Sequence, residues 1–157
     1  MFRVCIKLFL LSLFTMSADA EMKSFDADSL MAIEAKYEGK PFVLALWSID
    51  CPPCFTELST LAKLHQQQPE LNIVLVSTDG VENEKLALQI VGQKQLGSVD
   101  NWLFSDSFVE SLRYSIDPAW HGELPRSYLY KANGNRFAHS GVLTELRLIQ
   151  WITQQKR

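Results

Sequence analysis

The chain has 157 residues and is mildly acidic, with 15 Lys and Arg against 18 Asp and Glu, for a formal net charge of −3. Apolar residues make up 47% of it, which predicts a domain with a substantial core, and the scattered charges argue against a nucleic-acid partner. Three cysteines are too few for a disulfide-stapled fold.

Residues 1–20 have the pattern of a secretory signal peptide. Two basic residues precede a short apolar run, Leu8 to Met16, and small residues close the segment at Ala20. The apolar run is shorter than the roughly 20 residues that span a bilayer. An uncleaved N-terminal anchor is the alternative interpretation.

Cleavage after Ala20 would leave residues 21–157 as a single domain in the periplasm. It would remove Cys5, so that Cys51 and Cys54 would be the remaining cysteines. An exported domain with one close cysteine pair is not stapled by disulfides. We therefore expect the pair to serve chemistry rather than stability.

Helices alternate with buried strands in the first half of the chain. The predicted elements are a helix over Lys23–Tyr37, a strand over Pro41–Trp47, a helix over Phe55–Gln67, a strand over Leu71–Ser77 and a helix over Glu84–Leu96. Both strands are continuous apolar runs, typical of central strands covered on two faces. The last helix is expected to turn Leu86, Ile90 and Val91 inward and to end at Gly97.

The second half ends in a hairpin and a helix. The predicted elements are a strand over Val99–Phe104, a helix over Asp106–Tyr114 capped by Ser105 or Asp106, a loop over Asp117–Arg126, strands over Ser127–Lys131 and Arg136–Ser140, and a helix over Leu143–Gln155 with Leu146, Ile149, Trp151 and Ile152 as its apolar positions. Asn133-Gly134 is a strong hairpin signal between the last two strands. The order predicts an α/β three-layer sandwich around a mixed central sheet.

A redox-active cysteine pair is predicted where the first apolar strand meets its helix, in the sequence Cys51-Pro52-Pro53-Cys54. The spacing lets both sulfurs meet within the first helical turn, where the helix N-terminus favours a thiolate on the outer cysteine. Both prolines suit a first turn, because its N–H groups are unpaired anyway. We interpret Cys51 as the attacking thiol and Cys54 as the resolving thiol.

Two other interpretations of the pair stay open. One is a static disulfide. The other is a zinc or copper site, which would need further ligands. The histidines on offer are His65, His121 and His139, none of them at ligand spacing, so no metal site is predicted.

The motifs resemble those of the thioredoxin superfamily, in its TlpA-like branch of exported thiol–disulfide oxidoreductases. Four features over about residues 25–155 carry the resemblance: Gly39-Lys40-Pro41 before the strand, Trp47-Ser-Ile-Asp-Cys51-Pro-Pro-Cys54, Gly122-Glu-Leu-Pro125, and the hairpin Lys131-Ala-Asn-Gly134-Asn followed by Gly141. A lone C-x-x-C is a weak motif. Together with a later proline and a signal peptide, the C-P-P-C form is specific.

The resemblance implies roles for residues around the pair. Pro125 is expected to be the family's active-site cis-proline, which would turn the Leu124 backbone towards the disulfide to pair with an extended substrate strand. Trp47 ends the strand beneath the site, as core, as part of the substrate platform, or as both. Trp120 and His121 are candidates for contact with a partner, although His121 also fits an ordinary exposed loop residue.

Two positions depart from the family pattern. Asp50 precedes Cys51, where the family usually has an aromatic or small residue, and Ala45 stands where thioredoxin has a buried aspartate. The resemblance implies that Glu57 supplies the missing acid and relays a proton from Cys54. The alternative is an acid in the first helical turn that the helix dipole alone favours.

The expected function is thiol–disulfide exchange with partner proteins in the reducing direction. The carboxylate of Asp50 would disfavour a thiolate on Cys51, so we expect a less depressed Cys51 pKa than in oxidising relatives and a disulfide that is harder to reduce. The resemblance implies cytochrome c maturation or thiol repair, with a membrane thiol electron donor and client proteins that carry cysteines or disulfides. We expect a monomer with no cofactor beyond the Cys51–Cys54 disulfide.

Other functions stay open. The same chemistry could run as a disulfide oxidant or isomerase, and the fold could serve as a non-catalytic binding protein, which would tolerate Cys51→Ser. A thiol peroxidase lacks support, because the C-P-P-C pair does not resemble a peroxidatic threonine-x-x-cysteine site.

Overall fold

A six-stranded mixed sheet forms the centre of the molecule, in a computed structural model that describes residues 21–105 and 108–155. The strands are β1 (Lys23–Phe25), β2 (Phe42–Trp47), β3 (Asn72–Ser77), β4 (Asp100–Phe104), β5 (Arg126–Tyr130) and β6 (Arg136–Ser140). They lie in the order β1-β4-β3-β2-β5-β6. The first four of these pair in parallel, and β5 and β6 pair antiparallel.

Helices cover both faces of the sheet: α1 (Ser29–Lys36), α2 (Pro52–Gln67), α3 (Glu84–Gln93), α4 (Val109–Ile116) and α5 (Glu145–Gln155). Side chains of β2 alternate between the faces, since successive residues of a strand point to opposite sides. One set joins a core cluster with α2, α3 and α5, and the other joins a second cluster with α1 and α4. The predicted three-layer α/β sandwich around a mixed sheet is confirmed.

The register of the central strands determines what meets at one end of the sheet. Trp47 at the end of β2 pairs with Ser77 at the end of β3, so the segments that follow these two strands lie side by side. On the other side of β2, Leu46 pairs with Arg126 at the start of β5. The carboxyl ends of parallel strands are where α/β proteins usually carry their sites.

The first predicted helix begins too early. Lys23–Phe25 form the edge strand β1, and α1 starts only at Ser29. The Nζ atom of Lys23 lies 2.5 Å from Oδ1 of Asp100 on β4, and Phe25 is fully buried. The helix predicted from Lys23 was wrong at its start because β4, the strand that β1 pairs with, lies far away in sequence.

The third helix is shorter than predicted. It ends at Gln93, and Gly97 does not cap it. Leu86 is 44% exposed, whereas Ala87 and Val91 are buried against the core. The inward position predicted for Leu86 was therefore wrong.

The terminal helix α5 also has a different inner face from the predicted one. Leu148, Trp151 and Ile152 are buried, whereas Leu146 and Ile149 are exposed. The apolar spacing located this helix correctly but did not give its rotation about its axis.

Ser105 does not cap α4, which begins at Val109. Its hydroxyl donates instead to the carbonyl oxygen of Phe25, at 3.0 Å. The other candidate cap, Asp106, and the predicted signal segment 1–20 lie outside the described residues. Within the described ranges 21–105 and 108–155, no helix is both long enough and apolar enough to cross a membrane.

Candidate active site

The two cysteines form a disulfide at the junction of β2 and α2. A short turn, residues 48–50, follows β2, and Cys51 is the N-cap residue of α2. The sulfur atoms are 2.00 Å apart and the Cα atoms 5.3 Å apart. The predicted meeting of both sulfurs at the start of this helix is confirmed.

The two sulfur-bearing residues differ in exposure. Cys51 is 8% exposed and Cys54 is 0% exposed, within the core face of α2. Both residues are largely buried, and Cys51 is the one that reaches solvent. This asymmetry fits an outer attacking cysteine and an inner resolving cysteine.

The first turn of α2 offers few backbone donors to Cys51. Pro52 and Pro53 are the first two helical residues, and neither has an N–H group. The N–H of Cys54 donates to the carbonyl oxygen of Cys51, at 3.0 Å. The helix N-terminus thus favours negative charge mainly through its dipole rather than through direct hydrogen bonds.

Glu57 is a buried carboxyl group on the same helix as the disulfide. It lies three residues after Cys54, so both side chains share one helix face. Its Oε1 accepts a hydrogen bond from the Ser127 hydroxyl, and its Oε2 accepts one from the N–H of Leu143, at 2.8 Å. Burial raises the pKa of Glu57, and these two hydrogen bonds lower it by less.

The position of Glu57 excludes the helix-dipole explanation. Because α2 begins at Pro52, Glu57 lies in the second turn, and it is only 2% exposed. Its partner Ser127 pairs directly with Ala45 in the sheet. The carboxyl group therefore reaches the sheet beside Ala45, the position at which thioredoxin has a buried aspartate and this chain does not.

The Leu124–Pro125 peptide bond is cis, as the resemblance implied. Pro125 directly precedes β5, whose first residue pairs with Leu46 near the end of β2. Leu124 is partly buried and packs against both core clusters, one of which contains Cys51. The structure thus brings the predicted proline loop to the same end of the sheet as the disulfide.

Trp47 and Asp50 occupy contrasting environments. Trp47 is almost fully buried, which supports the core interpretation and leaves little surface for a substrate platform. Asp50 is exposed directly before Cys51, and its N–H donates to the Ser48 hydroxyl, at 3.2 Å.

Trp120 does not face a partner. It is buried, and its indole Nε1 donates to the carbonyl oxygen of Glu123, at 2.9 Å. The guanidinium of Arg113 lies 5.9 Å from the centre of its ring. The prediction for Trp120 was therefore wrong, whereas His121 is exposed in the loop.

Arg126 is a residue next to Pro125 whose contacts the sequence did not predict. It directly follows Pro125, and its Nη2 lies 2.9 Å from Oδ2 of Asp117. Its Nη1 lies 3.3 Å from Oε1 of Glu123. Arg126 thereby ties both ends of the loop before Pro125 to β5.

Asp79 is a second missed residue, in the turn after β3. Its Oδ1 accepts from the Ser48 hydroxyl at 2.8 Å, and its Oδ2 accepts from the N–H of Ile49 at 2.9 Å. The Ser77 hydroxyl also donates to Oδ2, at 2.5 Å. The position of Asp79 at the carboxyl end of the neighbouring parallel strand was the signal that could have found it.

No metal centre accompanies the disulfide in the part of the chain that the structure describes. Groups of three or more His, Cys, Asp or Glu that could hold an ion are absent from residues 21–105 and 108–155.

Known protein structures resemble this fold over most of its length. A secreted disulfide oxidoreductase of Mycobacterium tuberculosis, homologous to DsbE of E. coli, aligns with a TM-score of 0.62 at 20% identity, over 76% of this chain and 85% of its own. A thiol:disulfide interchange protein of the thioredoxin family from Chlorobium tepidum has a TM-score of 0.61 at 15% identity, over 78% and 83%. StoA of Bacillus subtilis aligns with a TM-score of 0.54 at 21% identity, over 73% of this chain and 84% of its own.

Sequence comparison supplies the family. No curated protein matches this chain significantly. Residues 14–134, however, match the AhpC/TSA family. With its mixed sheet, its five described helices and its cysteine pair at the start of α2, the chain belongs to the AhpC/TSA family of the thioredoxin superfamily.

Proposed function

We propose that this protein is a thiol–disulfide oxidoreductase that reduces disulfides of partner proteins outside the cytoplasm. One observation carries the proposal. Cys51 and Cys54 are bonded at the start of α2, with Cys51 slightly exposed, Cys54 fully buried, and the acid Glu57 on the face of Cys54. This is the arrangement that two successive thiol–disulfide exchanges require.

The first exchange starts from the reduced pair. The Cys51 thiolate attacks one sulfur of the partner disulfide, forms a bond to it, and displaces the other partner sulfur as a thiolate. The attack occurs at Cys51 because it is the less buried of the two cysteines. The product is a mixed disulfide between Cys51 and the partner.

The second exchange uses Cys54. Its thiol loses a proton to the Glu57 carboxylate, and the resulting thiolate attacks the Cys51 sulfur of the mixed disulfide. The Cys51–Cys54 bond forms, and the second partner sulfur leaves as a thiolate. Two electrons pass from the pair to the partner. Burial raises the pKa of Glu57, which makes its carboxylate a stronger proton acceptor than that of an exposed glutamate.

The reducing direction is supported by the surroundings of Cys51. Pro52 and Pro53 remove two N–H groups from the helix start, and Asp50 brings a carboxylate next to the outer cysteine. Both features leave a Cys51 thiolate less stabilised than at an ordinary helix N-terminus. A less stable reduced form makes the disulfide harder to reduce and the dithiol a better reductant.

The place of action and the partners follow from the same proposal. The signal pattern in residues 1–20 favours the periplasm, and one of the similar structures is that of a secreted protein. A reductant there needs a source of electrons, for which we propose a membrane thiol donor. Its clients would be proteins with oxidised cysteines, in cytochrome c maturation or thiol repair.

The test is the reduction potential of the Cys51–Cys54 pair in the purified full chain, measured by equilibration with thiol buffers. We expect a value near the thioredoxin end of the scale, about −270 mV. A value near −120 mV would identify an oxidant instead. A disulfide that does not exchange at all would refute the enzyme and favour a non-catalytic binding protein.

A further inference from the structure

The turn that leads into Cys51 has its hydrogen-bond donors occupied. The N–H of Ile49 donates to the carboxylate of Asp79. The N–H of Asp50 donates to the hydroxyl of Ser48, whose own proton goes to Asp79. The N–H of Cys51 donates to the carbonyl oxygen of Ser48, at 3.2 Å.

Asp79 is the acceptor on which this arrangement depends. It binds the turn through two different groups, one backbone N–H and one hydroxyl, with one carboxylate oxygen for each. Ser77 fixes the carboxylate from the other side, because its hydroxyl donates to Asp79 and also accepts the Asp79 N–H, at 3.3 Å. The side chain is therefore held in one orientation.

The ends of β2 and β3 do not need Asp79 to stay together. The N–H of Thr78 donates to the carbonyl oxygen of Trp47, at 2.9 Å, as a continuation of the sheet. What Asp79 adds is the orientation of the donors in the turn after Trp47. Its removal would free these donors without separating the strands.

Free donors two and three residues before Cys51 would affect its redox chemistry. A thiolate is stabilised by N–H and O–H groups that point towards it, and a more stable thiolate makes the Cys51–Cys54 disulfide easier to reduce. With Ile49 and Ser48 bound to Asp79, these groups point to another acceptor. The negative charge of Asp79 itself acts in the same direction, since it disfavours a second negative charge nearby.

We propose that Asp79 is a positioning residue that keeps the donors of Ser48 and Ile49 away from the Cys51 sulfur, and so holds the Cys51–Cys54 pair at the reducing end of its range. The inference rests on the proposed oxidoreductase function. It assigns the reducing character partly to the turn after β3, in addition to Asp50 and the two prolines beside the cysteines.

The test compares the wild type with Asp79→Asn in the full chain. The asparagine has nearly the same shape, but it accepts hydrogen bonds at one atom only, so one of the two donors in the turn becomes free. We expect the equilibrium constant for reduction by glutathione to rise about tenfold, which is about 30 mV for a two-electron couple. Thiolate absorbance of the reduced protein should titrate at lower pH in the variant.

Ser77→Ala is the second variant and Asp26→Asn is the matched control. Ser77→Ala removes the hydroxyl that fixes the Asp79 carboxylate, so the two donors of the turn are held less firmly and the equilibrium should shift in the same direction by a smaller factor. It decides the question if Asp79→Asn does not fold. Asp26 caps the turn before α1 with the same kinds of bond, from the Ser29 hydroxyl and the Asp28 N–H, and its substitution should leave the equilibrium unchanged.

The outcomes separate the two proposals. A wild-type potential at the oxidising end refutes the reductant, whatever the variants do. A reducing wild type whose equilibrium is unchanged, or shifted the opposite way, by Asp79→Asn refutes the role of Asp79 alone. An equal shift in Asp26→Asn would also overturn it, because the effect would then not be specific to the turn before Cys51.

Discussion

Glu57→Gln is expected to slow release of the reduced partner while leaving the fold intact. The glutamine oxygen can accept from the buried Leu143 N–H, and its NH₂ group can donate to the Ser127 hydroxyl. Both present contacts then keep a partner, so the free energy of unfolding should change by less than about 1 kcal/mol. Glu57→Ala removes both acceptors and should cost about 1–3 kcal/mol, since Leu143 N–H is left unpaired in the core.

The kinetic effect should be much larger than the effect on stability. Without a carboxylate to take the Cys54 proton, resolution of the mixed disulfide should slow about 100-fold at pH 7, the lower range for loss of a general base. Single-turnover reactions with a disulfide-bonded peptide, quenched by acid and resolved by mass spectrometry, would follow the mixed disulfide directly. Near pH 9.5 hydroxide can deprotonate Cys54, and the difference between the two proteins should largely disappear.

Ser127→Ala provides the matched control, because it keeps the acid but removes a hydrogen bond that lowers the pKa of Glu57. Its resolution rate should rise with pH along a profile displaced to higher pH than that of the wild type. Equal rates for wild type and Glu57→Gln at pH 7, or a difference that persists at pH 9.5, would refute the relay.

The raised pKa of Glu57 also predicts how the stability of the fold depends on pH. A buried acid whose folded-state pKa is raised stabilises the fold below its ordinary value of 4.5, and this stabilisation is lost as the pH rises through the folded-state pKa. The wild type should therefore lose stability relative to Glu57→Gln across that window. Urea unfolding at a series of pH values measures the difference, and parallel curves would contradict the raised pKa.

Two further predictions concern the resolving cysteine and the sheet edge. Cys54→Ser should trap covalent complexes through Cys51, visible as thiol-sensitive bands on non-reducing gels, and their absence would count against the resolving role. Asp100→Asn should lower the free energy of unfolding by about 1–3 kcal/mol at pH 7. Burial raises the pKa of Asp100, but hydrogen bonds from Lys23 and Lys36 outweigh it and lower the pKa. The contribution of Asp100 to the free energy of unfolding is thus present above pH 3.8 and is lost as the pH falls further. Urea unfolding curves of the two proteins should therefore converge in acid.

Local sequence patterns were enough to predict the cysteine pair and its acid, but not the residues from other parts of the chain that contact this region. Cys51, Cys54 and Glu57 lie within seven consecutive residues, where helix geometry fixes their relation. Asp79 acts on this region from the turn after β3 and Arg126 from β5, and their contacts depend on strand order and register. No local pattern contains that information.

The wrong predictions about the fold have related physical causes. Lys-Ser-Phe at residues 23–25 is too short to show a strand period, and its pairing with β4 is a contact between distant segments. Helical spacing located α3 and α5 in the sequence, but it was compatible with more than one buried face of each helix. In α3, Ala87 and Val91 are buried and Leu86 is exposed. The buried face of the helix is set by close packing against the neighbouring elements, which the sequence of the helix does not contain.

The end of α5 suits attachment to a surface. Gln155 lines one groove with Pro41, which precedes β2, so it lies at the opposite end of that strand from Cys51. The start of β1 lies nearer the redox end, because the strand pairings bring Lys23 level with Leu46 across the sheet. A tether at the end of α5, such as a tag on a sensor chip, would therefore hold the protein with its redox end away from the surface, within reach of a large folded client.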